Sequence, residues 1–400
     1  MWRNFRSPLR PFEWLLACTI GIVIGLLAIW FFWRPAILSP ISQDSRFLFW
    51  LEGETPPSSG KIVYGFLPYW NMNQVALQPE LTHLAYFALD VRGDGSIRTR
   101  DSDGNAEPGF HRLGSERWWE VFESHQGEVE LVITQFETAA ISEFLTSPAA
   151  HDRFITEIDS VLLSYPISGL NIDIELAGSA SPALRTGLTD FMTKLRAHLD
   201  SKYQGINLSI DVYAGAASSQ QLWEIEKLEP LVDHFIVMAY DFHQRSSANA
   251  GPVAPIFGGQ EFWDSDIHGN LRAFLEKVPA DKILMGIPFY GYEWQTTSRL
   301  ARAHTFPQTG STATYGRIQQ LLLNDDPDLM VEQHWSEVAL SPYLSYQRDG
   351  QLYVIYYDNS RSLSYKLDLV NQLDLAGIAI WALGYEGQTR ELWEVIGRKH

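Results

Sequence analysis

From residue 61 onward, short apolar segments bounded by turn residues alternate with segments whose apolar positions recur every three or four residues. The first kind predicts strands over 62–69, 82–90, 130–136, 167–175, 207–213, 234–241, 282–290 and 377–383. The second predicts helices over 139–163, 182–201, 218–228 and 270–278. Strands alternating with helices predict an α/β fold, here a (β/α)8 TIM barrel of about 250 residues plus insertions. A doubly wound open sheet is the alternative, but no GxGxxG follows the first strand, as a dinucleotide site would need. The interval 293–372, between the seventh and eighth strands, is too long for one helix. Within it, 344–347 and 352–357 flank Arg348-Asp349-Gly350, a hairpin signal. A small α+β insertion is therefore expected on the face where the barrel strands end, which is where such barrels carry their chemistry.

The N-terminal pattern is different. Residues 14–33 form an apolar run of 20 residues in which Thr19 alone is clearly polar. At 1.5 Å per residue it spans roughly 30 Å, one bilayer core. Arg3, Arg6 and Arg10 precede it and Arg34 follows. The positive-inside rule then predicts a single-pass membrane protein with a cytoplasmic N-terminus and an extracytoplasmic body. A cleaved signal peptide, a lipoprotein box at Leu15-Leu16-Ala17-Cys18 and a buried core helix are the alternatives. The expected organisation is a cytoplasmic N-terminus and lipid-bilayer anchor over 1–34, a Pro- and Ser-rich linker over 35–60 and the barrel over 61–400.

Composition narrows the chemistry. A net charge of −18 argues against a nucleic-acid groove, because phosphate binding needs a basic surface. One cysteine, Cys18, excludes a disulfide framework or a cysteine zinc site. No HExxH or EF-hand loop is present, so neither a metal nor a cofactor is expected. Aromatic residues make up 13% of the chain, an abundance common among carbohydrate binders.

The candidate chemistry lies on the fourth strand, which reads Gly169-Leu170-Asn171-Ile172-Asp173-Ile174-Glu175. Strand side chains alternate, so Leu170, Ile172 and Ile174 face the helices while Asn171, Asp173 and Glu175 face the barrel interior. Neighbouring buried carboxyls raise each other's proton affinity, which keeps one protonated near neutrality as a general acid. A structural hydrogen-bond network is the other reading of the same spacing.

The fourth strand also resembles the DGxDxDxE motif of glycoside hydrolase family 18, the chitinase-like enzymes. Met238-Ala239-Tyr240-Asp241 resembles that family's MxYD, and Trp381 resembles the tryptophan that floors its sugar site. Gly65-Phe66-Leu67-Pro68-Tyr69-Trp70 looks like its opening motif. The stretches 251–255 and 286–294 look like the branch that includes bacterial spore-cortex hydrolases. The resemblance covers roughly 61–400. Departures are Ser168 and Asn171 in place of two Asp residues, the absence of SxGG on the third strand, and Phe66 where Tyr is common.

The resemblance implies a glycosidase acting on an N-acetylglucosamine-containing polysaccharide, peptidoglycan or chitin in type, by a retaining, substrate-assisted mechanism. Glu175 would be the acid, Asp173 would orient the 2-acetamido group, Asn171 would brace Asp173, and Tyr240 would bond the acetamido group. Asp241, Trp381, Met238, Tyr69, Trp70 and Tyr290 would contact sugar. A non-catalytic sugar-binding protein on the same fold is the alternative. Such proteins typically lose the acidic Glu, whereas Glu175 and Asp173 are both present.

Overall fold

The computed structural model describes residues 60–399. The expected membrane span and linker lie outside the described residues. Among those described, no helix is long and apolar enough to cross a membrane.

Eight parallel strands close into a barrel. They are β1 (Ile62–Pro68), β2 (His83–Asp90), β3 (Glu128–Gln135), β4 (Gly169–Ile174), β5 (Asn207–Tyr213), β6 (His234–Met238), β7 (Ile283–Pro288) and, after an insertion, β13 (Gly377–Trp381). Closure is by β1 pairing with β13, with Ile62 opposite Gly377. The predicted strands coincide with these to within a few residues, and the open-sheet alternative is excluded.

Period-two alternation divides the core in two. Leu131, Ile133, Leu170, Ile172, Leu208, Ile210, Phe235 and Val237 face outward and pack under the helices. Tyr64, Phe66, Val132, Ile236, Leu284 and Ala379 fill the lumen. The buried polar residues Glu130, Asn171, Asp173, Ser209 and Asp211 carry the same alternation as the lumen set.

Two predicted helices differ. The 139–163 segment is two helices, Thr138–Thr146 and Pro148–Ser164. Pro148 cannot donate a backbone hydrogen bond, and Ser147 before it is extended and caps the second helix by accepting from the Ala150 N–H. The 218–228 segment is helical only over Ile225–Leu228.

The insertion contains β8 (Tyr290–Thr296), β9 (Ser311–Thr314), β10 (Glu332–Ser336), β11 (Ser341–Arg348) and β12 (Gln351–Tyr356). They form a five-stranded antiparallel sheet in the order β10-β11-β12-β8-β9. The expected hairpin is present: Arg348 pairs with Gln351 across a two-residue turn. Asp349 and Gly350 both take positive φ, 51° and 75°, as a type I′ turn requires. The sheet begins at Tyr290 rather than at 293. The stretch Ser360–Gln372 is a helix that packs on the C-terminal helix Glu391–Lys399 and leads back to β13.

Candidate active site

A cleft of about 730 Å³ opens where the barrel strands end. It collects side chains from every quarter of the barrel: Trp70 after β1, Phe87 on β2, Phe136 after β3, Asp173 and Glu175 at the end of β4, and Asp211 and Tyr213 on β5. Met238, Tyr240 and Asp241 come from the end of β6, Tyr290 and Tyr292 from the inserted sheet, and Trp381 from the end of β13.

The β4 side chains form a ladder of increasing exposure. Asn171 is fully buried, Asp173 is buried, and Glu175, just beyond the strand, is half-buried. Burial pushes the Asp173 carboxyl well above the ordinary carboxylate range, and the Glu175 and Asp211 charges push it further. Its Oδ1 has no hydrogen-bond partner among the described residues. Burial also raises Glu175; the Tyr213 hydroxyl draws it back down, and Asp241 adds to the rise. Protonated carboxyl is thus favoured at the mouth of the barrel.

Asp241 sits in the left-handed region at φ 61°, which Asp tolerates better than most residues. That conformation turns its carboxyl toward the inserted sheet. The Tyr290 hydroxyl donates to Asp241 Oδ1, and the Tyr292 hydroxyl donates to the same oxygen at 2.9 Å. Both bonds favour the charged form, while burial opposes it more strongly. The Tyr240 ring lies 6.2 Å from that of Tyr290, at 75°. A Cβ at Gly286 would stand 2.9 Å from Tyr240 Cε1, so only glycine leaves that ring its place.

The floor is aromatic. Trp381 meets Phe87 edge-on at 4.7 Å and Phe66 at 5.7 Å. Phe136 lies nearly parallel to Phe87, at 18°, and with Trp70 it presents exposed ring surface at the rim. Sugar rings, apolar on their CH faces, pack on such planes.

Of the residues singled out in the sequence, Asp173, Glu175, Met238, Tyr240, Asp241, Trp70, Tyr290 and Trp381 line this one cleft. Asn171 lies beneath it. Asn171 was expected to brace Asp173; instead its Nδ2 donates to Ser209 Oγ at 2.9 Å and to Asp211 Oδ1 at 2.8 Å, both on β5. The parallel register sets Asn171 beside Ser209, so the amide reaches sideways, not up its own strand. Tyr69 was expected at the cleft and does not line it. The chain turns outward after Pro68, and the Tyr69 ring packs beside the Arg112 guanidinium, 5.9 Å away. Ser168 links β4 to β3: its Oγ accepts from the Val129 N–H and donates to the Val129 carbonyl, both at 2.9 Å.

Asp211, Tyr213, Phe87 and Phe136 were not singled out in advance. For β5 the signal was present, because Ser209, Asp211 and Tyr213 are polar at every second position of a predicted strand.

A parallel eight-stranded barrel whose mouth holds adjacent protonatable carboxyls over stacked aromatic rings has the build of a polysaccharide-cleaving barrel enzyme. The profile of the glycosyl hydrolases family 18 matches residues 62–386. The chain belongs to that family and is a glycosidase by that membership. It is 23% identical over 342 residues to the Bacillus subtilis protein YdhD, named as a sporulation-specific glycosylase, covering 82% of this chain and 74% of that one. Its fold matches the Group IV chitinase of Ostrinia furnacalis, solved in complex with allosamidin, with TM-score 0.73, 19% identity and coverage of 84% and 98%. It also matches the Bacillus cereus spore cortex-lytic enzyme SleL with TM-score 0.66, 20% identity and coverage of 85% and 74%. The likeness to YdhD and to SleL, within the shared family, bears out the spore-cortex-hydrolase-like branch read from 251–255 and 286–294.

Proposed function

We propose that the chain is a membrane-tethered, extracytoplasmic glycosidase that cleaves β-linked N-acetylhexosamine glycans of the peptidoglycan or chitin type. The mechanism is retaining and substrate-assisted, the known departure of this family from the two-carboxylate scheme. The observation that carries this reading is the Asp173–Glu175 pair, pushed toward its protonated form beside Tyr240 and over the Trp381 floor. Glu175 donates its proton to the leaving glycosidic oxygen and then takes one from water. Asp173 orients the 2-acetamido group, whose carbonyl oxygen attacks the anomeric carbon and forms an oxazolinium. Tyr240 donates to that carbonyl oxygen, and Trp381 stacks beneath the ring. The tether is the apolar run at 14–33, and it confines action to glycan within reach of the 35–60 linker.

The test is to incubate the full chain and its Glu175→Gln variant with chitooligosaccharides and with purified peptidoglycan, following new reducing ends by mass spectrometry. The expected result is release by the unaltered chain alone, with oligosaccharide affinity of the variant within a few fold. Saturable binding by both proteins with release by neither would replace the hydrolase by a sugar-binding protein. Normal hydrolysis by the variant would remove Glu175 as the acid.

A further inference from the structure

β4 carries an amide, Asn171, where the motif it resembles has a second Asp. The carboxylate missing from that position has a neighbour one strand away. Asn171 Nδ2 donates to Asp211 Oδ1 at 2.8 Å, and both side chains are buried. The pairing Asn171↔Ser209 and Ile172↔Ile210, continued by one residue, sets Asp173 level with Asp211 on adjacent parallel strands. Asp211 also lines the cleft, as Asp173 and Glu175 do.

The groups around Asp211 come from across the barrel. They are Tyr64 on β1, Glu130 on β3, Asp173 and Glu175 on β4, and Tyr240 beyond β6, with Tyr213 two residues further along β5 lining the same cleft. All are acids or phenols. Among the described residues, no Lys, Arg or His lines the cleft. Without a cation, adjacent carboxyls in a dry interior cannot all ionise, so they must hold protons among them.

Burial pushes Asp211 up as it does Asp173, and the Glu175 and Glu130 charges add to that, so it is the hydrogen-bond donors that set these carboxyls apart. Asp211 accepts from Asn171, and Glu175 accepts from Tyr213, whereas Asp173 Oδ1 has no partner among the described residues. A donated N–H stabilises carboxylate over carboxylic acid. Asn171 is itself locked by a chain that runs down the lumen. It donates to Ser209 Oγ at 2.9 Å, Ser209 donates to Glu130 Oε2 at 3.1 Å, and Tyr64 donates to the same oxygen at 2.8 Å.

We propose that Asp211 is a positioning residue for hydrolysis: braced by Asn171, it is the fixed carboxylate on β5 that holds a proton on the Asp173–Glu175 pair of β4. The second carboxylate of the site has moved across one inter-strand hydrogen bond, from position 171 to position 211. This rests on the reading of Glu175 as the proton donor.

The experiment measures kcat/KM against pH on a chitooligosaccharide for the full chain and for Asp211→Asn, Asn171→Asp and the exchange variant carrying both. Asp211→Asn keeps the shape and removes the charge. Its alkaline limb, where the acid loses its proton, moves to lower pH by about one unit, with KM little changed. Asn171→Asp adds a carboxylate and moves that limb to higher pH. The exchange variant restores charge and hydrogen bond with the strands reversed, and its limb returns toward the original. An Asp211→Asn limb superimposed on the original overturns the proposal, as does a folded exchange variant that keeps the shifted limb. If Asp211→Asn does not fold, the other two variants decide by the same criteria. Following the infrared band of protonated carboxyl during the same titrations needs no substrate. A chain that cleaved no glycan would then end the hydrolase reading, while the band's midpoint would still accept or reject the role of Asp211.

Discussion

Asp173 shows how far one side chain's surroundings set its chemistry. Its neighbours on the strand, Ile172 and Ile174, face the helices, so its carboxyl is committed to the lumen by alternation alone. There it meets Glu175 and Asp211, and no donor for its Oδ1. In the substrate-assisted scheme the nucleophile belongs to the sugar, so the residue that orients the acetamido group matters as much as the acid. Asp173→Ala is expected to lower kcat on the order of 10²–10⁴-fold, comparable to Glu175→Gln, with KM within a few fold. Near-normal turnover in steady-state assays would count against acetamido participation. The residues of this ladder were legible in the sequence because a period-two pattern with three polar members is conspicuous in an apolar strand. Their partners were not: Asn171 bonds across to β5, and a register between strands is not written in either strand alone.

At the level of elements, the inserted sheet supplies one wall of the cleft. Tyr290 and Tyr292 hold Asp241 from β8, so the wall and the barrel share a hydrogen-bonded junction. After the sheet, the chain re-enters the barrel through the helix Ser360–Gln372. Its Lys366 is fully buried and donates to Asp358 Oδ1 at 2.7 Å. Removing one partner of a buried pair leaves a charge without compensation. Asp358→Ala is expected to destabilise the fold by about 3–5 kcal/mol in denaturant unfolding, and a compensating Lys366→Met to recover much of that loss. The hairpin within the insertion was legible from Arg348-Asp349-Gly350. The edges of the sheet were not, because Tyr290 ends one apolar segment and begins the next with no turn signal between them.

Taken whole, the chain carries a net charge of −18, a formal count that includes the cleft carboxyls Asp173, Glu175, Asp211 and Asp241, and no cation is among the described residues that line the cleft. An anionic glycan approaches this surface against its field, and salt screens that field over about 10 Å at 0.1 M. Hydrolysis of anionic peptidoglycan is therefore expected to rise with added salt, by about two- to ten-fold in kcat/KM between low salt and 0.2 M. Cleavage of neutral chitooligosaccharides should stay nearly flat. Equal salt responses for the two substrates, in parallel initial-rate assays, would show that the acidic cleft does not discriminate.

Local pattern determined a good deal here. Alternation placed the strands and their inward faces, the Asp349-Gly350 pair punctuated the chain, and four short motifs carried the family. These are properties of a few consecutive residues, and backbone geometry translates them directly. The tertiary structure decided the rest, because it depends on which strands become neighbours and at what height. Closure of β1 on β13 brings Trp381 over Phe66 and Phe87. The β4–β5 register puts Asp211 next to Asn171 and level with Asp173. An outward turn after Pro68 takes Tyr69 out of the cleft and leaves Trp70 in it. Residues far apart in sequence meet only through barrel closure and stagger, and it is those meetings that set the proton affinities of the site.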